Sequence, residues 1–165
     1  MTRMKIIFLD RGTLSPETVL RVPGFDADFE SFEQTPADAA AGRIADADIV
    51  ITNKAPIREE AIAGAKRVKM IAIAATGYDV VDTRACKAAG ITVSNIRGYA
   101  KNTVPEHTFA LIFALQRSIV PYRRSVIDGR WEEAGSFCYF DYPIADLSGS
   151  ASVSLAAARL ARAWR

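Results

Sequence analysis

Val-Lys-Met-Ile-Ala-Ile-Ala-Ala-Thr-Gly-Tyr-Asp-Val-Val-Asp, residues 68–82, decides how the rest of the chain reads. Residues 70–74 form an apolar run of strand length. It ends in small residues and Gly77, with Asp79 and Asp82 ahead of a helix-like segment. A buried strand that stops at Ala-Thr-Gly leaves backbone N–H groups at the carboxyl end of a sheet, the edge where open α/β sheets place their ligands. Amides uncrowded by side chains suit a small anion such as a carboxylate.

Similar strand-length apolar runs lie on either side. Residues 5–9 and 48–52 lack alternation, as strands covered on both faces do. Residues 26–32 alternate apolar and acidic side chains and predict a half-exposed strand, and residues 91–93 predict a short one. Between them, Ser15-Pro16-Glu17 predicts a short helix, Thr35-Pro36-Ala37-Asp38 opens one to about Ile44, residues 57–63 form a weak one, and residues 82–89 form one closed by Gly90. Strands alternating with helices predict a doubly wound, mainly parallel sheet. The longest predicted element runs from Thr103 to about Ile127. It is opened by the capping box Thr103-Val104-Pro105-Glu106 and kinked or divided at Pro121. Its apolar residues are too many for one stripe, so it is expected to be covered on more than one side, by another domain or subunit.

Composition narrows the classes of function. The chain has 165 residues, half of them hydrophobic and 24% charged, with a net charge of +2. That charge is too small to argue for nucleic acid or a membrane surface. No apolar run is of bilayer length, Cys86 and Cys138 have no metal-like spacing, and no targeting segment is expected. A cytoplasmic protein with reduced thiols and no metal is expected.

Four segments together resemble a known family. They are Val-Ile-Thr-Asn-Lys (50–54), Ala-Thr-Gly-Tyr-Asp-Val-Val-Asp (75–82), Asn-Thr-Val-Pro-Glu-His-Thr-Phe-Ala-Leu (102–111), and Gly-Arg-Trp (129–131) with Asp-Tyr-Pro-Ile-Ala-Asp-Leu-Ser-Gly (141–149). Residues 4–150 resemble, in one register, the N-terminal substrate-binding part of the NAD(P)-dependent D-2-hydroxyacid dehydrogenases, most closely the glycerate dehydrogenase branch. The resemblance implies a flavodoxin-like substrate domain over residues 1–101, a long inter-domain and dimerisation helix over 102–130, and a linker over 131–150. It implies that the amides of Ala75, Thr76 and Gly77 hold a substrate carboxylate, with Asn53 and Lys54 beside them and Thr103 facing the nicotinamide. The implied reaction is hydride transfer between NAD or NADP and a small 2-hydroxy or 2-oxo acid of the glycerate/hydroxypyruvate type, in a homodimer.

After Gly149 the sequence departs from the family, which continues with a strand and a Gly-x-Gly-x-x-Gly turn; no glycine follows Gly149 in this chain. The family's catalytic arginine, carboxylate and histidine lie further downstream, so no catalytic residue is expected in this chain. Read from the third base of each codon from Ala151 onward, synonymous codons permit a strand and the missing glycine turn. Residues 151–165 are therefore expected to be a truncated or frame-shifted start of the dinucleotide-binding domain, with a natural amphipathic helix as the alternative. The coding DNA at codon 151 tests this. A non-catalytic flavodoxin-like module that dimerises or binds a ligand is the alternative for the whole chain.

Other residues invite functional readings. Asp10-Arg11-Gly12-Thr13 looks like a dehalogenase-type phosphatase signature, but Leu9 and Arg11 stand where that signature needs aspartates. His107, the only histidine, is expected to sit at a helix start without a catalytic role. Asp82 is read as a helix cap and Asp79 as a loop-ordering residue, with a metal pair as the weaker reading. Cys86 is read as a small apolar helix residue. Lys54 is read either as a substrate ligand or as a solvated side chain. The aromatic residues of 137–142 line a substrate mouth or pack a linker.

Overall fold

The computed structural model describes residues 3–21 and 23–148. Five strands form one parallel sheet: β1 (Met4–Phe8), β2 (Ala27–Ser31), β3 (Ile49–Thr52), β4 (Met70–Ile73) and β5 (Thr92–Asn95). Their order is β2-β1-β3-β4-β5, with every neighbouring pair parallel. This is the flavodoxin order, in which the chain reverses direction of travel between β1 and β3. The doubly wound reading therefore matches the sheet found.

Burial explains the strand patterns. Ile7, Phe8, Val50, Ile71 and Ile73 are almost wholly buried, as expected for β1, β3 and β4 inside the sheet. β2 is an edge strand whose last four residues are all exposed, Phe29 included, so it is more open than the half-exposed strand expected from its alternation. Three helices cover the sheet: α1 (Ala37–Ile44), α2 (Glu59–Gly64) and α3 (Thr83–Ala88). Asp82 caps α3, its carboxylate accepting the Arg84 N–H at 3.0 Å and the Ala85 N–H at 2.9 Å. Gly90 ends that segment at φ +71°, the left-handed conformation that favours glycine. Cys86 is fully buried on α3 among apolar neighbours, and burial raises its thiol pKa above the ordinary value.

The helix expected after Ser15 does not form. The β1–β2 connection holds only the short 3₁₀ turn Arg11–Thr13. Arg11 occupies the carbonyls that a helix would need: its guanidinium donates to the Thr18 carbonyl at 2.9 Å and, at 3.4 Å, to those of Leu14 and Ser15.

The chain divides between Arg97 and Gly98 into two compact units. The second unit corrects the expectation of one long helix. α4 (Thr103–Gln116) and α5 (Ile119–Ile127) are separate, and Ser118 between them has φ 47°, a left-handed conformation rare for serine. The break lies before Pro121, because in a continuous helix the Pro121 ring would strike the carbonyl of Arg117 and leave it without a donor. Restarting after Ser118 puts Pro121 in the first turn of α5, where no N–H is required. The Ser118 hydroxyl donates to the Pro143 carbonyl at 2.5 Å, and the Ala145 N–H reaches the Gln116 carbonyl at 2.8 Å.

The capping box at Thr103 is also absent. Asn102 is the residue at the cap position, no side chain caps the helix, and the Glu106 N–H bonds the Asn102 carbonyl at 3.0 Å. Gly129 is left-handed and starts another short helix, α6 (Arg130–Ala134), instead of ending the helical region.

The 137–142 aromatics divide by role. Tyr122 stacks edge-on to Tyr142 and tilted to Tyr139, and its hydroxyl donates to the Tyr142 carbonyl at 2.9 Å. Tyr139 and Tyr142 therefore pack within their own unit, whereas Phe137 and Phe140 are exposed. The expectations for residues 149–165 lie outside the described residues.

Candidate functional site

Sheet order brings the loops after β1, β3 and β4 to one edge. β3 and β4 are neighbours, and the Ala74 N–H continues their ladder by donating to the Thr52 carbonyl at 2.8 Å. Beyond it the two loops join again. The Ile57 N–H donates to the Val80 carbonyl at 2.8 Å, and the Asp82 N–H donates to the Ile57 carbonyl at 2.9 Å. The Arg58 guanidinium adds a bond to the Asp79 carbonyl at 2.9 Å. Residues 53–58 and 75–82 thus form one braced surface.

The Ala75-Thr76-Gly77 turn is aimed by its carbonyls. Ala75 is buried and its carbonyl accepts the Ile96 N–H at 3.0 Å. The Thr76 carbonyl accepts the Asn95 side-chain amide at 2.7 Å. Both peptides are trans, so each N–H points opposite to its carbonyl. Two consecutive carbonyls turned toward the end of β5 leave two consecutive N–H groups, those of Thr76 and Gly77, facing the other way. Both residues are exposed, and among the described residues neither N–H has an acceptor. Paired amides of this kind favour a carboxylate. A methyl group on Gly77 would come within 3.2 Å of the Asp79 carboxylate, so the small residue keeps the turn open where Asp79 folds over it.

The loop after β3 is built differently. Asp10 is 3% exposed, and its carboxylate accepts the backbone N–H groups of Asn53 at 2.9 Å, Lys54, and Ala55 at 2.8 Å. The amides of Asn53 and Lys54 are thereby occupied from within. Asn53 turns its side-chain amide to the Thr13 hydroxyl at 2.9 Å, and that hydroxyl donates to the Asp10 carbonyl at 2.7 Å. Lys54 is exposed and among the described residues its ammonium has no ion-pair partner. Asp10 and Asn95, to which sequence alone assigns no role, hold the two loops. Asp10 follows a buried strand with no alternation, a place where an ionised side chain needs partners; that is the signal the sequence carries. Asp10, the one carboxylate in the phosphatase-like stretch, is thus taken up by three amides.

Thr103 lies in the second unit, at the start of α4, and is exposed; His107 is exposed on the same helix. The loop at the end of β1 does not fit a dinucleotide pyrophosphate. Of the two glycines in the β1–β2 connection, Gly12 is the one near the strand end, and there an added methyl would lie 2.8 Å from both the carbonyl and the carboxylate of Glu33. That crowding and that negative charge oppose a pyrophosphate at this loop. Among the described residues no three His, Cys, Asp or Glu side chains are grouped to hold a metal ion, and no helix is long and apolar enough to cross a membrane.

Known proteins resemble this chain in sequence and fold. The chain is 48% identical over 147 residues to the glycerate dehydrogenase of Methylorubrum extorquens, covering 88% of this chain and 46% of that protein. An acyclic imino acid reductase solved with NADPH and D-Arg superposes with a TM-score of 0.62 at 28% identity, over 84% of this chain and 43% of its own. The NADPH-dependent glyoxylate/hydroxypyruvate reductase of Sinorhizobium meliloti shares the fold with a TM-score of 0.67 at 21% identity, over 90% of this chain and 45% of its own. The chain thus spans about half the length of the curated relatives it matches. Residues 7–161 match the model of the catalytic domain of D-isomer specific 2-hydroxyacid dehydrogenases, and the chain belongs to that family.

Proposed function

We propose that this chain is the substrate-binding part of an oxidoreductase that moves a hydride between NAD(P)H and a small 2-hydroxy or 2-oxo acid of the glycerate/hydroxypyruvate type. The observation that carries the reading is the pair of acceptor-free N–H groups at Thr76 and Gly77, turned away from β5 by Ile96 and Asn95. They hold the acid's carboxylate, while Asn53 and Lys54 present side chains nearby and Ala75 anchors the turn. Thr103 is proposed to face the nicotinamide in the complete enzyme. The likeness to a glycerate dehydrogenase and to an NADPH-bound reductase supports this substrate and cofactor class. Free thiols at Cys86 and Cys138 fit a reducing compartment such as the cytoplasm.

These 165 residues alone are proposed to turn nothing over. They carry one histidine, His107 on α4, and no Gly-x-Gly-x-x-Gly turn, so the family's proton relay and phosphate cradle are not supplied. A second copy of the chain is proposed to cover α4 and α5, whose Leu111, Phe113, Leu115 and Val120 are each about half exposed or more.

Calorimetric titration with hydroxypyruvate and with glycolaldehyde, which lacks the carboxylate, tests the reading, alongside an NADH turnover assay. Binding of hydroxypyruvate alone, without turnover, is the expected result. Equal binding of both compounds, or robust turnover, contradicts it.

A further inference from the structure

Two sets of backbone donors stand on adjacent strands at the same sheet edge, and only one is open. At the end of β3 the N–H groups of Asn53, Lys54 and Ala55 converge on one point, which the Asp10 carboxylate fills, with Oδ2 accepting from Ala55 at 2.8 Å and Oδ1 from Asn53 at 2.9 Å. At the end of β4 the N–H groups of Thr76 and Gly77 have no acceptor among the described residues. Chemically the two cradles are alike, since each offers consecutive amides to a carboxylate. Asp10 is buried, and the loop it fills is held from both sides. Thr52 Oγ1 donates to the Ala55 carbonyl at 2.8 Å, and Thr13 holds the Asn53 side chain.

We infer that Asp10 is a built-in carboxylate ligand of the β3 loop and, through it, a positioning residue of the substrate site. It closes the β3 cradle to the incoming acid and leaves the Thr76–Gly77 cradle as the only one of the two open. It also occupies the main-chain N–H groups of Asn53 and Lys54, so that this loop offers the exposed Lys54 side chain and not main chain. The inference rests on the reading that Thr76 and Gly77 hold the substrate carboxylate. A neutral residue at position 10 leaves three donors unmatched beside a buried alanine, and a free carboxylate is the natural species to replace the lost one.

Amide-resolved NMR of the full chain tests this with hydroxypyruvate and acetate as probes. In the wild type, hydroxypyruvate should shift the Thr76 and Gly77 amides saturably and leave those of residues 53–55 in place, and acetate should leave residues 53–55 unmoved. Asp10→Gly removes a group of acetate's shape. Its 53–55 amides should move, acetate should return them toward their wild-type positions, and hydroxypyruvate affinity at Thr76 and Gly77, measured without acetate, should fall at least several-fold. Asp10→Asn keeps the volume but turns an NH₂ toward the donors, and acetate should not rescue it. A merely structural role for Asp10 would leave hydroxypyruvate affinity at Thr76 and Gly77 unchanged in a folded Asp10→Gly variant, even where acetate returns the 53–55 amides. Intact wild-type shifts at Thr76 and Gly77 combined with an Asp10→Gly variant blind to acetate overturn the inference alone. So does equal movement of residues 53–55 when hydroxypyruvate meets the wild type, a result that decides even where the glycine variant does not fold. Unmoved Thr76 and Gly77 in the wild type overturn the reading of the site itself, and the positioning role with it.

Discussion

The Asn95 side-chain amide donates to the Thr76 carbonyl at 2.7 Å, joining the last residue of β5 to the exposed turn after β4. Because the 76–77 peptide is trans, this bond also aims the Gly77 N–H away from β5. Asn95→Ala releases that peptide. The lost bond contributes about 0.5–1.5 kcal/mol, so affinity for a small carboxylate should fall by about 2- to 13-fold, with a fall of a few degrees at most in the thermal midpoint. Titration of the variant and wild type with hydroxypyruvate measures the ratio; unchanged affinity contradicts the role assigned to Asn95.

Two glycines meet different neighbours and should respond differently to alanine. At Gly12 the new methyl strikes the Glu33 backbone carbonyl at 2.8 Å, and backbone moves only with the segment it belongs to. Gly12→Ala should destabilise by about 1–3 kcal/mol. At Gly77 the neighbour, at 3.2 Å, is the tip of the exposed Asp79 side chain, which swings aside at little cost. Gly77→Ala should leave stability within about 1 kcal/mol of the wild type, yet weaken carboxylate binding by crowding the turn. Denaturant melts of both variants check the contrast.

Ser118 carries a left-handed conformation at the joint between α4 and α5. Glycine relieves that strain but loses the hydroxyl bond to Pro143, so Ser118→Gly should be close to neutral. Ser118→Val keeps the strain, adds a branched Cβ and loses the bond, and should destabilise the chain by about 2 kcal/mol or more. Equal melting of the two variants contradicts the account of the break.

Asp48 supplies a pH dependence at the opposite edge of the sheet. Its carboxylate accepts the Lys5 backbone N–H at 3.0 Å and pairs with Arg67 at 2.7 Å, and these partners hold its pKa below the ordinary carboxylate value. A carboxyl with a lowered folded pKa stabilises the fold fully above its unfolded pKa of about 3.9, and that contribution is lost as pH falls through the lower folded value. Asp48→Asn should therefore cost about 1–3 kcal/mol at neutral pH, with the difference from wild type shrinking in acid. Melts at neutral and acid pH check both the size and the sign.

The apolar surface of α4 and α5 gives a test of assembly. Leu115 is 79% exposed, and a charge there should not disturb the fold. Leu115→Glu is expected to turn a dimer into a monomer by light scattering. A wild type that is already monomeric contradicts the proposed second copy.

The sheet was legible because β1, β3 and β4 are apolar on both faces, a pattern that a parallel sheet imposes directly. The Thr76–Gly77 turn was legible for a related reason: small residues at a strand end mark open backbone. What escaped were the long-range bonds made by polar side chains. Arg11 replaces an expected helix by taking three carbonyls, and Asp10 fills amides more than forty positions away. Neither interaction leaves a periodic trace. The division at Ser118 was half legible, since Pro121 signals a helix break but not which earlier residue absorbs it.

A crystal structure of this chain soaked with hydroxypyruvate locates the acid's carboxylate. The predicted result is a carboxylate whose oxygens lie within about 3.2 Å of the Thr76 and Gly77 nitrogens, with Asp10 still bound to Asn53, Lys54 and Ala55. A ligand seated elsewhere, or Thr76 and Gly77 nitrogens already satisfied by the protein, would contradict it.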